Sequence, residues 1–134
     1  MFAAALADPA LIAALGLFLT FHTGVHQSRL LPCALLRAAG LSLAPGTSLE
    51  MNDNVLILDY VDESPIGTVS GGQYTGIMGL VQAARNGGTW DGDGIVTSMS
   101  DVAPGMRALA AGEASDVLGI TGTQTQMWNG VSVD

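Results

Sequence analysis

The stretch TWDGDGIVTSMSD, Thr89 to Asp101, sets two carboxylates, Asp91 and Asp93, one residue apart among glycines. Such spacing is that of a calcium loop, where oxygen ligands come from positions 1, 3, 5, 9 and 12, with a glycine at 6 for the sharp turn and a carbonyl at 7. Placing Gly94 at position 6 puts Asp93 at 5, Asp91 at 3 and Thr97 at 9, but Thr89 at 1 and Ser100 at 12. The two most demanding positions lack a carboxylate, and Asp101 falls one residue late. Asp91 and Asp93 are therefore weak metal candidates only, with any calcium affinity on the order of millimolar. The favoured reading of Asp91-Gly92-Asp93-Gly94 is a turn that joins a helix to the element starting near Ile95.

Other residues with chemical potential are isolated. Asp59, Glu63 and Glu113, with Asp91 and Asp93, are raw material for the carboxylate pair of a glycosidase, but acids on turns are usually solvated. His22 and His26 would share one face of a helix, as in some zinc sites, yet no Glu lies between them and no third ligand is nearby. They read as polar residues at the end of an apolar helix. Cys33 is the only cysteine, so an intrachain disulfide is excluded, and it reads as a small buried side chain rather than a nucleophile. There is no nucleophile elbow and no glycine-rich phosphate loop. The expectation is a protein that is not an enzyme, with no catalytic residue and no cofactor.

Charge is distributed unevenly. Residues 1–40 carry Asp8 against Arg29 and Arg37, whereas residues 41–134 carry eleven acids against Arg85 and Arg107, so the formal −8 is made of +1 and −9. A body this acidic repels phosphate backbones, so no nucleic acid partner and no DNA-binding patch are expected.

The elements that must position these residues fall into two unlike segments. The head, residues 1–40, is rich in Ala and Leu, with an apolar run from Ala10 to Phe21 that is too short to span a bilayer as a helix. It has three readings: a signal-like export segment, a peripheral or buried helix, or a segment not native to the protein. From residue 41 short β-like runs begin. Turns are expected at Pro45-Gly46 and Asn52-Asp53-Asn54, and a central strand over Val55 to Val61. Tyr74, Ile77, Met78, Val81 and Ala84 recur at helical spacing and stop at Asn86-Gly87-Gly88. Met106 to Ser115 is ambiguous between strand and helix, and Asn129-Gly130 marks a hairpin near the end. The fold class expected is α+β, mainly β, either the end of a β-repeat ladder or a small sandwich, with one or two short helices and a separate apolar helical head.

The runs NVLILDYVDESPIGTV, NGGTWDGDGIVTS and LAAGEASDVLGITGTQTQMWNGVSVD resemble a region near the C-terminus of large exported bacterial surface proteins. Those proteins carry autotransporter-type repeats upstream and commonly a dockerin-type calcium repeat or a sorting anchor downstream. The likeness covers residues 41–134 and assigns no catalytic residue. It departs in an extra glycine-rich stretch, SGGQYTG at 70–76, and in ending at Asp134, where the family continues its strand. The resemblance implies the last rungs of a β-rich repeat closing before a small mixed module, and an extracellular or cell-surface location. The function expected is a non-catalytic structural or spacer module with Trp90, Trp128 and Tyr60 in its core. The alternatives are a carbohydrate- or ligand-binding module, with Trp90 and Trp128 as stacking faces, and a weak calcium-binding, dockerin-like module. Partners expected are neighbouring modules of the parent protein, a carbohydrate, and a second copy joined through a truncated C-terminal edge strand.

Overall fold

Parallel strands organise the first part of the chain. The structure, a computed structural model, describes residues 18–21, 27–29, 35–102 and 104–134. Strands β1 (Phe18–Phe21), β2 (Gln27–Arg29) and β3 (Leu35–Ala38) are followed by β4 (Gly40–Leu43), β5 (Ser48–Glu50) and β6 (Val55–Leu58). Each strand of the first set pairs in parallel with its counterpart in the second. Phe18 lies opposite Gly40, Gln27 opposite Ser48 and Leu35 opposite Val55, steps of 22, 21 and 20 residues. Parallel strands need a connection of about a dozen residues or more, and within each of these connections two further strands lie among the described residues.

Polar residues turn the corners. After Pro45-Gly46, both the backbone N–H and the hydroxyl of Thr47 donate to the Ala44 carbonyl, at 3.1 and 2.6 Å. At the next corner Asn52 takes a left-handed conformation, φ 50°. Asn54 then donates to the Met51 carbonyl through its backbone N–H at 2.9 Å and through its side-chain amide at 2.7 Å. Asn54 is buried, so it satisfies backbone groups at a place where water has little access.

Strand β5 is paired on both edges, with β2 on one side and β9 (Gly94–Val96) on the other. The second pairing is again parallel, Ser48 opposite Gly94, and is extended by Gly94 N–H to Thr47 O at 3.1 Å and Met51 N–H to Val96 O at 2.9 Å. Leu49, fully buried, forms a core cluster with Met51, Ile77 and Ile95, against which Leu41, Leu43, Leu56, Leu58 and Leu80 pack. Each such side chain contributes about 1.5–3 kcal/mol when it leaves water, so this cluster outweighs the polar contacts around it. Helix α1 (Gly76–Arg85) lies over β9 and buries Ile77 and Ala84. The two-residue strands β7 (Val69–Ser70) and β8 (Gln73–Tyr74) form a hairpin just before it. Gln82 ties that hairpin to the helix, accepting from Tyr74 N–H at 2.9 Å and donating to Gly72 O at 2.8 Å.

The chain then runs through an irregular segment to α2 (Ala114–Leu118) and the antiparallel hairpin of β10 (Gln126–Trp128) and β11 (Val131–Val133). Asn129 and Gly130 have φ of 46° and 84°, the double left-handed pair that a two-residue hairpin of this twist requires. The expected Asn129-Gly130 hairpin and α1 are thus present, within a mixed α and β fold that leans toward β.

Two expectations are corrected. The separate apolar helical head is not shown. The described residues before Gly40 are the strands β1 to β3, and each is paired with a strand at or after Gly40. A short apolar run such as FLTF has no periodicity that separates helix from strand, and a long-range parallel partner decides it. The run expected as a central strand over Val55 to Val61 ends at Leu58 and pairs only with β3 among the described residues, with all four of its residues half-buried. Val61, beyond the end of the strand, is almost fully exposed. His22, His26, Cys33 and most of the Ala10 to Phe21 run lie outside the described residues. Among the described residues no helix is long and apolar enough to cross a membrane.

Glu50 is buried among these apolar neighbours at 1% exposure, and its Oε1 accepts the Ser98 backbone N–H at 2.8 Å. That bond ties the segment leaving β9 back to β5, and losing it strands a backbone donor. Glu50→Ala should lower the unfolding free energy by about 2–3 kcal/mol, whereas Glu50→Gln, which keeps an oxygen acceptor, should lower it clearly less. Urea unfolding of the two variants measures the difference, and equal losses would show that the acceptor is not what matters.

Candidate functional site

The Asp91-Gly92-Asp93-Gly94 stretch is built on the end of α1. Asn86 caps the helix in a left-handed conformation, φ 41°. The chain then doubles back along the last turn, with Trp90 N–H donating to Arg85 O and Gly92 N–H to Ala84 O, both at 3.2 Å. Trp90 itself takes φ 58°, costly for a bulky residue, and its indole is buried at 6% exposure. Burial of so large a side chain offsets the backbone cost.

Asp91 is engaged within this turn. Its Oδ1 accepts from the Asn86 side-chain amide at 2.9 Å and from the Thr89 hydroxyl, while the same hydroxyl also contacts the Asn86 carbonyl at 2.9 Å. The Thr89 hydroxyl first, and then the Asn86 amide, hold the Asp91 carboxyl below its ordinary value. The glycines have a different task. A Cβ on Gly92 would stand 2.2 Å from Ala83 O, and one on Gly94 would stand 2.2 Å from Leu80 O. Both positions are glycine because the helix backbone passes directly over them. The residues that mimic a calcium loop are thus accounted for by a helix-to-strand turn. Asp93 is exposed, and among the described residues no group of three or more His, Cys, Asp or Glu could hold a metal ion.

The remaining candidate carboxylates have local partners of their own. Asp59 faces Arg37, with Nε to Oδ2 at 3.1 Å and Nη2 closer still, which links the residue after β6 to β3. Glu113 accepts from the Tyr60 hydroxyl at 2.8 Å through Oε2 and from the Ser64 hydroxyl through Oε1. The bond to the Glu113 carboxylate raises the Tyr60 phenol above its ordinary value. Glu63 is exposed on the adjoining bend. Of the two tryptophans, Trp90 is buried and Trp128 is 41% exposed on β10, beside Met127 at 63%. The pair therefore does not form two exposed stacking faces, and of the three aromatic residues expected in the core only Trp90 is there, since Tyr60 is exposed as well.

Sequence reasoning missed Glu50. Its signal was a carboxylate flanked by Leu49 and Met51 in a strand whose neighbours are apolar, and only the third strand, β9, reveals it as interior. It also missed that Arg85 and Arg107 line one recess, since the two residues lie on different elements.

Two outcomes are expected at the turn. Gly94→Ala should destabilise the fold by on the order of 3 kcal/mol, through the clash with Leu80 O and the positive φ, measurable by thermal or urea unfolding; a loss within about 0.5 kcal/mol, as at ordinary surface sites, would remove the close-approach argument. Asp91 has a depressed folded-state pKa, so its contribution to stability is present above the ordinary carboxylate range and is lost as pH falls through the depressed value. Carboxyl-carbon NMR should place its midpoint below 3.8, and Thr89→Val should move the midpoint upward. A midpoint unmoved by that change would show that the threonine bond does not form in solution. Comparison with family models, with curated proteins and with solved structures finds no match to this chain.

Proposed function

We propose that this chain is a non-catalytic structural module of an exported cell-surface protein, in which it forms the closing end of a ladder of parallel β-coils. The observation that carries this reading is the set of three parallel pairings at steps of 22, 21 and 20 residues. A near-constant step is how a solenoid stacks, each coil burying its apolar face only against its neighbours. The capping role falls to the part that breaks the step. β9 pairs with β5 far out of sequence register, Ser48 opposite Gly94, and α1 lies over β9. A helix laid across the last coil covers strand and core that the ladder would otherwise leave open, as terminal units of repeat proteins must.

The fate of the chemically capable residues supports the same reading. Asp91, Asp59 and Glu113 serve turns and junctions, and Trp90 lies in the core. The surface-protein resemblance of residues 41–134 supplies the location, and the acidic body suits a soluble extracellular surface.

Coil insertion tests the ladder. Duplicating residues 18–39, one full 22-residue step, between Ala39 and Gly40 should give a folded protein whose Tm is no lower than that of the parent. Inserting only the first half of that segment should lower Tm by several degrees, because strands and corners fall out of phase. Calorimetry and far-UV circular dichroism read both. If the full and half insertions behave alike, the pairings are not a repeating ladder and the module reading loses its support.

A further inference from the structure

Arg85 and Arg107 are the only cations in residues 41–134, set among eleven acids. Both line a single recess of about 330 Å³. One wall is the end of α1 and the Asn86–Gly88 turn, the other is the segment around Val102 and Arg107, and Trp90 lies between them. Over Gly87 and Gly88 a Cβ would meet nothing within 4 Å, so the backbone on that side is open to an incoming group.

The charges in the recess do not cancel. Arg107 is held by Asp101, Nε to Oδ2 at 2.7 Å, while Arg85 takes part in no ion pair among the described residues. Two guanidiniums against one carboxylate leave a single positive charge. A planar guanidinium fork matches a carboxylate in shape and can hold it through two parallel N–H donors. The recess is of the size that takes a small organic molecule rather than a bare ion.

We propose that this recess binds a small organic monocarboxylate, with the ligand carboxylate on Arg85 and the rest of the molecule over the open Gly87-Gly88 backbone. One negative charge balances the site, whereas a dianion would leave excess charge beside Asp101. The inference is independent of the structural-module reading, and a spacer module with or without this site would still stack its coils.

Titration of the full chain with sodium glucuronate tests it, followed by 15N NMR at the Arg85 Nε and the Trp90 indole. The expected result is a saturable shift of both signals at millimolar ligand, weakened by added salt, with no saturable shift for glucose at the same concentrations. Arg85→Gln should raise Kd by about tenfold or more, as loss of a charge-assisted pair does. Arg85 is exposed, so this variant is expected to keep the parent Tm and a well-dispersed spectrum. Acetate serves as the second arm: a shift with acetate assigns the affinity to the carboxylate alone, and a shift with glucuronate only assigns it to carboxylate and ring together. The proposal is overturned if glucuronate gives no saturable shift, if glucose shifts the same signals equally, or if Arg85→Gln binds as tightly as the parent.

Discussion

A strand paired on both edges and packed on its face has no freedom to shift, and β5 is in that position. β2 and β9 occupy its two ladders, Leu49 lies at the centre of the apolar cluster, and Glu50 reaches the Ser98 N–H beyond the end of β9. Because side chains alternate along a strand, a slip of one residue would turn Leu49 out of its cluster and bring its neighbours in. The register of β5 therefore sets where β9 lies, β9 sets where α1 lies, and α1 sets the turn at Asp91. A buried carboxylate would be expensive without a donor. With one, it makes the register directional in a way that apolar contact alone does not.

The glycine-rich turn illustrates how one composition serves two purposes. Calcium loops use glycine so that the chain can bend round an ion. Here Gly92 and Gly94 permit the chain to pass beneath the carbonyls of α1, where a Cβ would collide at 2.2 Å. The aspartate between turn and helix accepts donors from Thr89 and Asn86 through Oδ1. Acid and glycine are favoured in both cases for the same reasons, local hydrogen bonding and backbone permissiveness, which is why the two look alike in sequence.

Long-range polar contacts supplement a core of modest size. Arg37 with Asp59, and Glu113 with Tyr60 and Ser64, join residues far apart in the chain at exposed positions. In such places ion pairs and hydroxyl bonds contribute little stability each, and their effect is to orient the strand ends and the bend that follows β6. The stability therefore lies chiefly in the paired strands and the apolar cluster around Leu49. Arg107 is used in the same way, paired with Asp101, whereas Arg85 takes part in no ion pair among the described residues.

Local signals were legible where the chain itself carries the geometry. The Asn129-Gly130 hairpin, the corners at Pro45-Gly46 and Asn52-Asp53, the α1 helix with its Asn86-Gly87-Gly88 stop, and the turn nature of Asp91 to Gly94 all follow from φ preference and periodicity within a few residues. The mainly β character followed as well. Tertiary structure alone decided that strands before residue 40 belong with strands after it, that the run from Val55 ends early on a coil edge, that Glu50 is interior, and that Trp90 and Trp128 part ways. The strand pairings depend on partners some twenty or more residues distant, and parallel pairing leaves no local mark, because its connection is long rather than a turn. A four-residue apolar run reads the same whether it becomes helix or strand, and the difference is made by whatever ladder is waiting for it.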